Sequence, residues 1–146
     1  MEYPREKNTM EREHLNFYLQ KADPKTLHNL CCKVEKSQPV TLLQEPTLQT
    51  LLLPVTDPVT KGSFYAGEIL VSSAIVQVGS SKGWAMVMDE DPELAQKVAV
   101  LDAAYAADIE KEAIAALVED GRKRYEHLTR ELATQVETTR VSFDLL

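Results

Sequence analysis

The sequence has few of the residues that usually build metal centres and disulfide frameworks. It contains two cysteines and three histidines among its 146 residues. Cys31 and Cys32 are adjacent, and an ordinary disulfide needs more separation between its two α-carbons than neighbouring residues give. His14, His28 and His127 lie far apart, without the spacing of zinc ligands. We therefore expect free thiols in a reducing cytoplasm, no metal and no bound cofactor.

Long apolar runs and glycine-rich phosphate loops are also missing. No apolar run approaches the roughly 20 residues of a membrane span, and the charged opening MEYPREKNTMEREH lacks the apolar region of a secretion signal. Neither G-x-x-x-x-G-K nor G-x-G-x-x-G occurs. The formal net charge of −7 suits neither nucleic acid nor an anionic membrane. We expect neither as a partner.

The two ends of the sequence read as helical. The chain fits one domain, 1–146, with residues 1–8 expected to be disordered. Helical periodicity predicts a first helix from Thr9 to Lys21 and a second from Pro24 to Lys36. A long amphipathic region follows near the end, from Ile109 to Thr139, where Gly121 is a candidate kink.

The middle of the sequence changes to strand-like patterns. Strands are predicted over Val40–Gln44, Leu48–Leu53 and Trp84–Met88, with a long strand over Ser63–Val78 and with Glu45-Pro46-Thr47 separating the first two. Both faces of Ser63–Val78 are partly apolar, so alternation does not show which face is buried. The chain is therefore predicted to be α+β, with N-terminal helices, roughly four antiparallel strands, long C-terminal helices and a short tail strand.

Helix-start signals follow the last of these strands. Asp91 is a good N-cap and Pro92 suits the first helical position. Leu94, Val98, Leu101 and Tyr105 form the apolar stripe of this helix, and the alanines beside them allow close approach of another backbone or sheet.

Two carboxylates are the only candidates for acid–base chemistry. Glu68 follows Gly67 early in the long strand, and Asp102 lies at the edge of the stripe through Tyr105. Two carboxylates can divide the roles of acid and base, but an acid near a core is more often held by capping or ion pairing. Phe64 is interpreted as a core or interface anchor.

The order of several motifs resembles the PhnG family, the small G subunits of the bacterial carbon–phosphorus lyase core complex. Gly62–Glu68 is similar to the family's G-x-x-F-x-x-G-[E/D] before a long strand. Asp91–Ala95, continuing to Leu101–Ala104, resembles its helix ending in D-A, and Thr139–Phe143 its closing T-x-V-x-F. The family's Gly-Arg-Asp is replaced here by Met88–Asp91, which marks the chain as divergent.

The resemblance implies a subunit with a mainly structural role. In the family the G subunit associates with the I, H and J subunits and supports transfer of ribose triphosphate from a nucleoside triphosphate to a phosphonate, with release of the base. The residues expected at motifs and interfaces are Phe64, Tyr65, Gly67, Glu68, Asp102, Arg140, Val141 and Phe143, and residues 139–146 are expected to dock on a partner. Two alternatives stay open: a small free-standing enzyme using Glu68 and Asp102, and a homodimeric module built on the terminal helix.

Overall fold

A computed structural model describes residues 11–141 as four helices and three strands. In chain order these are α1 (Arg12–Leu19), α2 (Pro24–Ser37), β1 (Val40–Thr56), β2 (Ser63–Val78), β3 (Ser81–Met88), α3 (Pro92–Ala106) and α4 (Lys111–Thr138). The predictions for residues 1–8, for a helix start at Thr9, and for Phe143 and the rest of the tail beyond Val141 lie outside the described residues.

Local helix-start signals place α2 and α3 as predicted. The Asp23 carboxylate accepts a hydrogen bond from the backbone N–H of Thr26, and the Asp91 carboxylate accepts one from that of Leu94. Each cap is followed by a proline at the start of the helix, where the missing N–H would have no partner anyway.

The sheet has three antiparallel strands in the order β1-β2-β3, which confirms the α+β class but not the count of four strands. The predicted break at Glu45-Pro46 is wrong, because β1 continues through it with a shift of register between Gln44 and Thr47. The Thr47 hydroxyl donates a hydrogen bond to the carbonyl of Glu45 at 2.8 Å. The chain therefore bulges out of the ladder at the proline and then resumes the same strand.

The structure shows which face of β2 is buried against the helices, a choice that the alternation of the sequence left open. Ala74, Val76 and Val78 of β2 are completely buried in the core cluster that includes α3. Gly83 of β3 allows α3 to approach, since a Cβ there would lie 2.1 Å from the carbonyl oxygen of Ala99. On the opposite face of β2, Val71 and Ser73 are also buried, whereas Ile75 and Gln77 are only partly buried.

Gly121 serves as a contact point between helices, and α4 is continuous through it. A Cβ at Gly121 would lie 1.9 Å from the carbonyl oxygen of Tyr18 in α1. The glycine therefore lets the backbones of α1 and α4 touch, which differs from the predicted kink. Among the described helices, none is both long enough and apolar enough to cross a membrane.

Candidate interaction surface

Asp102 is buried at the joint between α1, β3 and α3, and its carboxylate is fully engaged. It accepts hydrogen bonds from Arg12 Nε at 3.0 Å, Arg12 Nη2 at 2.9 Å and the Trp84 backbone N–H at 2.9 Å. The Asp102 side chain is 4% exposed, whereas that of Arg12 is 50% exposed. A buried carboxylate with this set of donors is a structural ion pair, because both oxygens already have partners.

The Arg12 contact is the first of three by which α1 and its C-cap residue Gln20 cover the outer edge of β3. Arg12 Nη2 and the side-chain amides of Asn16 and Gln20 donate to backbone carbonyls of β3, at 2.6, 2.6 and 2.9 Å. The accepting carbonyls belong to Lys82, Trp84 and Met86. The three donors are four residues apart along the chain, and the three acceptors are two residues apart along β3. Because these outward carbonyls are already occupied, this edge of the sheet is closed to pairing with a further strand.

A cleft of about 380 Å³ lies beside this joint. Its walls include Arg12, Asn16, Lys82, Trp84 and Asp102. Among residues 11–141, the buried Oδ1 atom of Asn16 has no hydrogen-bond partner. The described residues that line the cleft include no serine, threonine or cysteine, so they supply none of the hydroxyl and thiol nucleophiles of covalent catalysis.

Beyond the helix layer, β1 and β2 continue as a two-stranded arm, residues 48–70. Thr50 pairs with Leu70 at its base and Thr56 pairs with Ser63 near its tip. Nearly every residue of the arm is exposed. Its large exposed apolar side chains are Leu48, Leu51, Leu52, Leu53, Val59, Phe64, Tyr65 and Leu70. An exposed apolar surface of this extent is typical of an interaction site.

The tip of the arm is held by local hydrogen bonds. The Asp57 carboxylate accepts hydrogen bonds from the Val59 N–H at 2.8 Å and the Thr60 hydroxyl at 2.7 Å. The hydrogen bond from Thr60, followed by that from Val59, lowers the pKa of Asp57. Lys61 completes the turn with a φ of 61°, in the left-handed region. The turn therefore has a defined structure although it is exposed.

The four motif residues around Gly67 all lie on this arm. Phe64 and Tyr65 are 53% and 69% exposed. The register shifts between Leu53 and Pro54, which leaves Ala66 of β2 without an opposite residue. The two aromatic side chains are therefore presented to solvent by a bulged ribbon, and Phe64 is not a core residue, in contrast to one of its two predicted roles.

The structure does not bring Glu68 and Asp102 together. Asp102 contacts β3 at Trp84, which pairs with Ile75 of β2. Glu68 is seven residues before Ile75 along the same strand, or roughly 23 Å at the rise of an extended chain. The two carboxylates therefore cannot share a substrate atom as acid and base.

Cys31 of α2 and Arg122 of α4 lie in surroundings that are typical of structural residues. Burial, with Glu35 nearby, raises the pKa of the Cys31 thiol to about 12, the opposite of what a thiol nucleophile needs. Arg122 forms ion pairs with Glu119 and Glu126 on an exposed face of α4. Hydrogen bonding to Glu119 and the charges of both acids raise the pKa of Arg122. Within the described range, no group of three His, Cys, Asp or Glu side chains is placed to hold a metal ion.

The second half of α4 is a further exposed apolar surface. Leu128, Leu132 and Val136 are spaced by four and are 51%, 52% and 67% exposed. Arg140 and Val141 follow the helix, where Arg140 Nη1 lies 3.9 Å from Glu137 Oε1 and Val141 is 70% exposed. Among the described residues, the apolar side chains of the arm and of the second half of α4 are therefore both exposed.

Comparison with known families gives this surface a context. The family model described as "Phosphonate metabolism protein PhnG" matches residues 10–146, nearly the whole chain. The chain belongs to the PhnG family. It is therefore a phosphonate metabolism protein, as its motifs indicated. No curated protein matches it significantly.

Sequence reasoning missed two features that define this PhnG-family surface. Arg12 and its partner Asp102 are 90 residues apart, and no local pattern connects them. The exposure of the arm was also missed, although one signal was available. The ten residues Thr47–Thr56 carry no charge, which is unusual for a segment that lies in solvent.

Proposed function

We propose that the protein is a mainly structural subunit of a carbon–phosphorus lyase complex. It would associate in the cytoplasm with the I, H and J subunits, and the assembled complex would transfer ribose triphosphate from a nucleoside triphosphate to a phosphonate with release of the base. The chain itself would bind no cofactor. The complex, its partners and the reaction come from the family resemblance, and the family match supports phosphonate metabolism.

The exposed arm carries this proposal. Side chains such as Phe64, Tyr65 and Leu52 are each more than half exposed, and each would release ordered water on entering an interface. Aromatic side chains are also the residues most enriched at the centres of protein interfaces. Within the described part of the chain, Asp102 does not support catalysis, since its carboxylate already accepts hydrogen bonds from Arg12 and the Trp84 N–H.

Co-expression with the cognate I, H and J subunits tests the assembly role. Size-exclusion chromatography with light scattering should show one hetero-oligomer containing this chain, and mixtures without this chain should lose the assembled mass. Asp102→Asn, with assembly retained, should leave the transferase rate of the complex within about twofold. An isolated chain that turns over nucleoside triphosphates, or one that ignores all three subunits, would contradict the proposal.

A tail truncation addresses the predicted docking of residues 139–146. If the tail contributes, removal of residues 140–146 should weaken the hetero-oligomer by tenfold or more, while the fold of the isolated chain stays intact. If the variant that lacks residues 140–146 assembles fully, docking must occur through the arm or the second half of α4 instead of the tail. A stable homodimer that forms without any partner would instead favour the homodimeric module.

A further inference from the structure

The backbone of β1 has its own free edge, and the sheet pairing shows which residues face it. The carbonyl of Leu70 accepts a hydrogen bond from Asp89 N–H at 2.8 Å, so Leu70 directs its backbone groups away from β1. Thr50 is opposite Leu70. In an antiparallel pair, two opposite residues that do not bond each other both point outward. Thr50 therefore presents its N–H and C=O to the free edge, as do Leu48 and Leu52 on either side.

This free edge has defined limits. The register runs without interruption from Thr47 to Leu53 and shifts at both ends. Pro46 and Pro54 stand just beyond those ends, and proline cannot donate to an added strand. The edge therefore offers space for one short partner strand of about seven residues, centred on Thr50.

One edge of the sheet is closed by side chains from the rest of the described chain, and the other edge is open. The edge of β3 is closed by three side chains of α1 and its C-cap, as described above. Along Thr47–Leu53, no other strand of residues 11–141 pairs with the edge of β1, where Leu48, Thr50 and Leu52 are exposed, and this segment carries no charge that would repel another strand. Exposed edges normally carry charges or bulges that prevent pairing. An uncharged edge that is bare in the isolated chain is suited to pairing.

The occupant is better matched by another protein than by a second copy. Two copies paired edge to edge would satisfy the backbone of Thr50 but would leave the faces of both arms bare, including Phe64 and Tyr65. Each copy also carries a net charge of −7, which opposes self-association. A larger partner can add a strand at the edge and also cover both faces of the arm.

We infer that the edge Thr47–Leu53 accepts an uncharged, apolar strand from a different subunit of the assembly, whose neighbouring surface encloses both faces of the arm. The added strand gives main-chain hydrogen bonds, and the apolar side chains on both faces give selectivity. An acidic residue on the added strand opposite Leu52 is disfavoured, because Leu52 is itself opposite Glu68 on the same face of the sheet and like charges on neighbouring strands repel. This inference rests on the proposed function and specifies how the subunit is held.

Amide hydrogen exchange in the intact chain tests this mode directly. Exchange is followed by NMR on the labelled protein, alone and with the co-expressed I, H and J subunits. In the complex, the N–H groups of Leu48, Thr50 and Leu52 should slow by tenfold or more. The N–H groups of Gln49 and Leu51 point to β2 and are bonded in the isolated chain, so they serve as internal controls.

A matched pair of variants gives a second readout. Thr50→Pro removes the donor aimed at the edge without taking a bond from β2, whereas Thr50→Val keeps both the donor and the shape. We expect the proline variant to weaken assembly by tenfold or more and the valine variant to change it by less than twofold. Circular dichroism of each isolated variant checks the fold, and the exchange experiment stands even where a variant fails that check.

The outcomes separate the two proposals. Assembly without slowed exchange at Leu48, Thr50 and Leu52 overturns this inference and leaves the assembly role intact. Absence of any complex overturns both. Slowed exchange in the isolated chain that increases with its concentration assigns the edge to a second copy, which also overturns the inference.

Discussion

Replacement of Gly121 by alanine tests how closely α1 and α4 must approach. An exposed glycine in mid-helix normally gains about 1 kcal/mol of stability on becoming alanine. Here the new Cβ would lie 1.9 Å from the Tyr18 carbonyl oxygen and 3.2 Å from the Ala22 nitrogen. Because both are backbone atoms, no side chain can move aside. The helices must separate by about 1 Å or more to reach an ordinary contact.

That separation has a cost which exceeds the gain in helix propensity. Overpacking of this kind typically costs about 1–3 kcal/mol. A shift of α1 also loosens the fully buried Leu15 and Leu19 and stretches the side-chain hydrogen bonds to β3, each worth about 1 kcal/mol. The expected net loss of unfolding free energy is about 1–3 kcal/mol. For a domain of this size, 1 kcal/mol corresponds to a Tm change of roughly 3 °C, so Tm should fall by about 3–9 °C.

Urea denaturation and thermal scans followed by circular dichroism measure this loss. Gly67→Ala is the matched control, since a Cβ at Gly67 meets no atom within 4 Å, and its stability should stay within about 0.5 kcal/mol of the parent. A rise in the Tm of the Gly121 variant by about 3 °C would refute the close helix contact, because it is the result expected of an unobstructed helix.

Two further predictions concern the ion pair and the thiols. Arg12→Ala should lower the free energy of unfolding by about 3 kcal/mol or more, because it leaves the buried Asp102 charge without its cation; a denaturation midpoint equal to that of the parent would contradict the structural pairing. The pKa of about 12 at Cys31 lies above the value of 9.0 for a free thiol, so its contribution to stability is complete below pH 9 and is lost as pH rises from 9 to 12. Cys31→Ser should therefore flatten the alkaline loss of stability, and an unchanged pH profile would argue against burial. At pH 8, a thiol reagent should label Cys32 in the folded protein and Cys31 only after unfolding, as mass spectrometry of the digest would show.

The sequence predicted most of the helices and the class of the fold for local reasons. Asp23-Pro24 and Asp91-Pro92 combine a cap with a proline in the first turn, and both begin helices in the structure. The count of strands was wrong because Pro46 was taken as a break. A proline in an edge strand need not end it, and whether β1 is an edge depends on residues far away in the chain.

The candidate surface was harder to predict than the fold. The motif around Gly67 was correctly placed at the start of a long strand, but its exposure depends on the helices stopping short of it, and no local pattern reports that. Glu68 and Asp102 were paired only by residue type, and their roughly 23 Å separation along the sheet follows from register. The Arg12–Asp102 pair was missed for the same reason.

The contact between α1 and β3 also sets an order of events during synthesis. Arg12 leaves the ribosome long before Lys82 and Asp102, its partners 70 and 90 residues later. Until β3 has been made, α1 has no strand to cover, and until α3 follows, Arg12 lacks the carboxylate of Asp102. Contacts between such distant residues form late and slow the folding of a domain. Closure of the β3 edge with its Arg12–Asp102 pair therefore requires synthesis as far as α3, and a nascent chain without it is the form most in need of protection from aggregation.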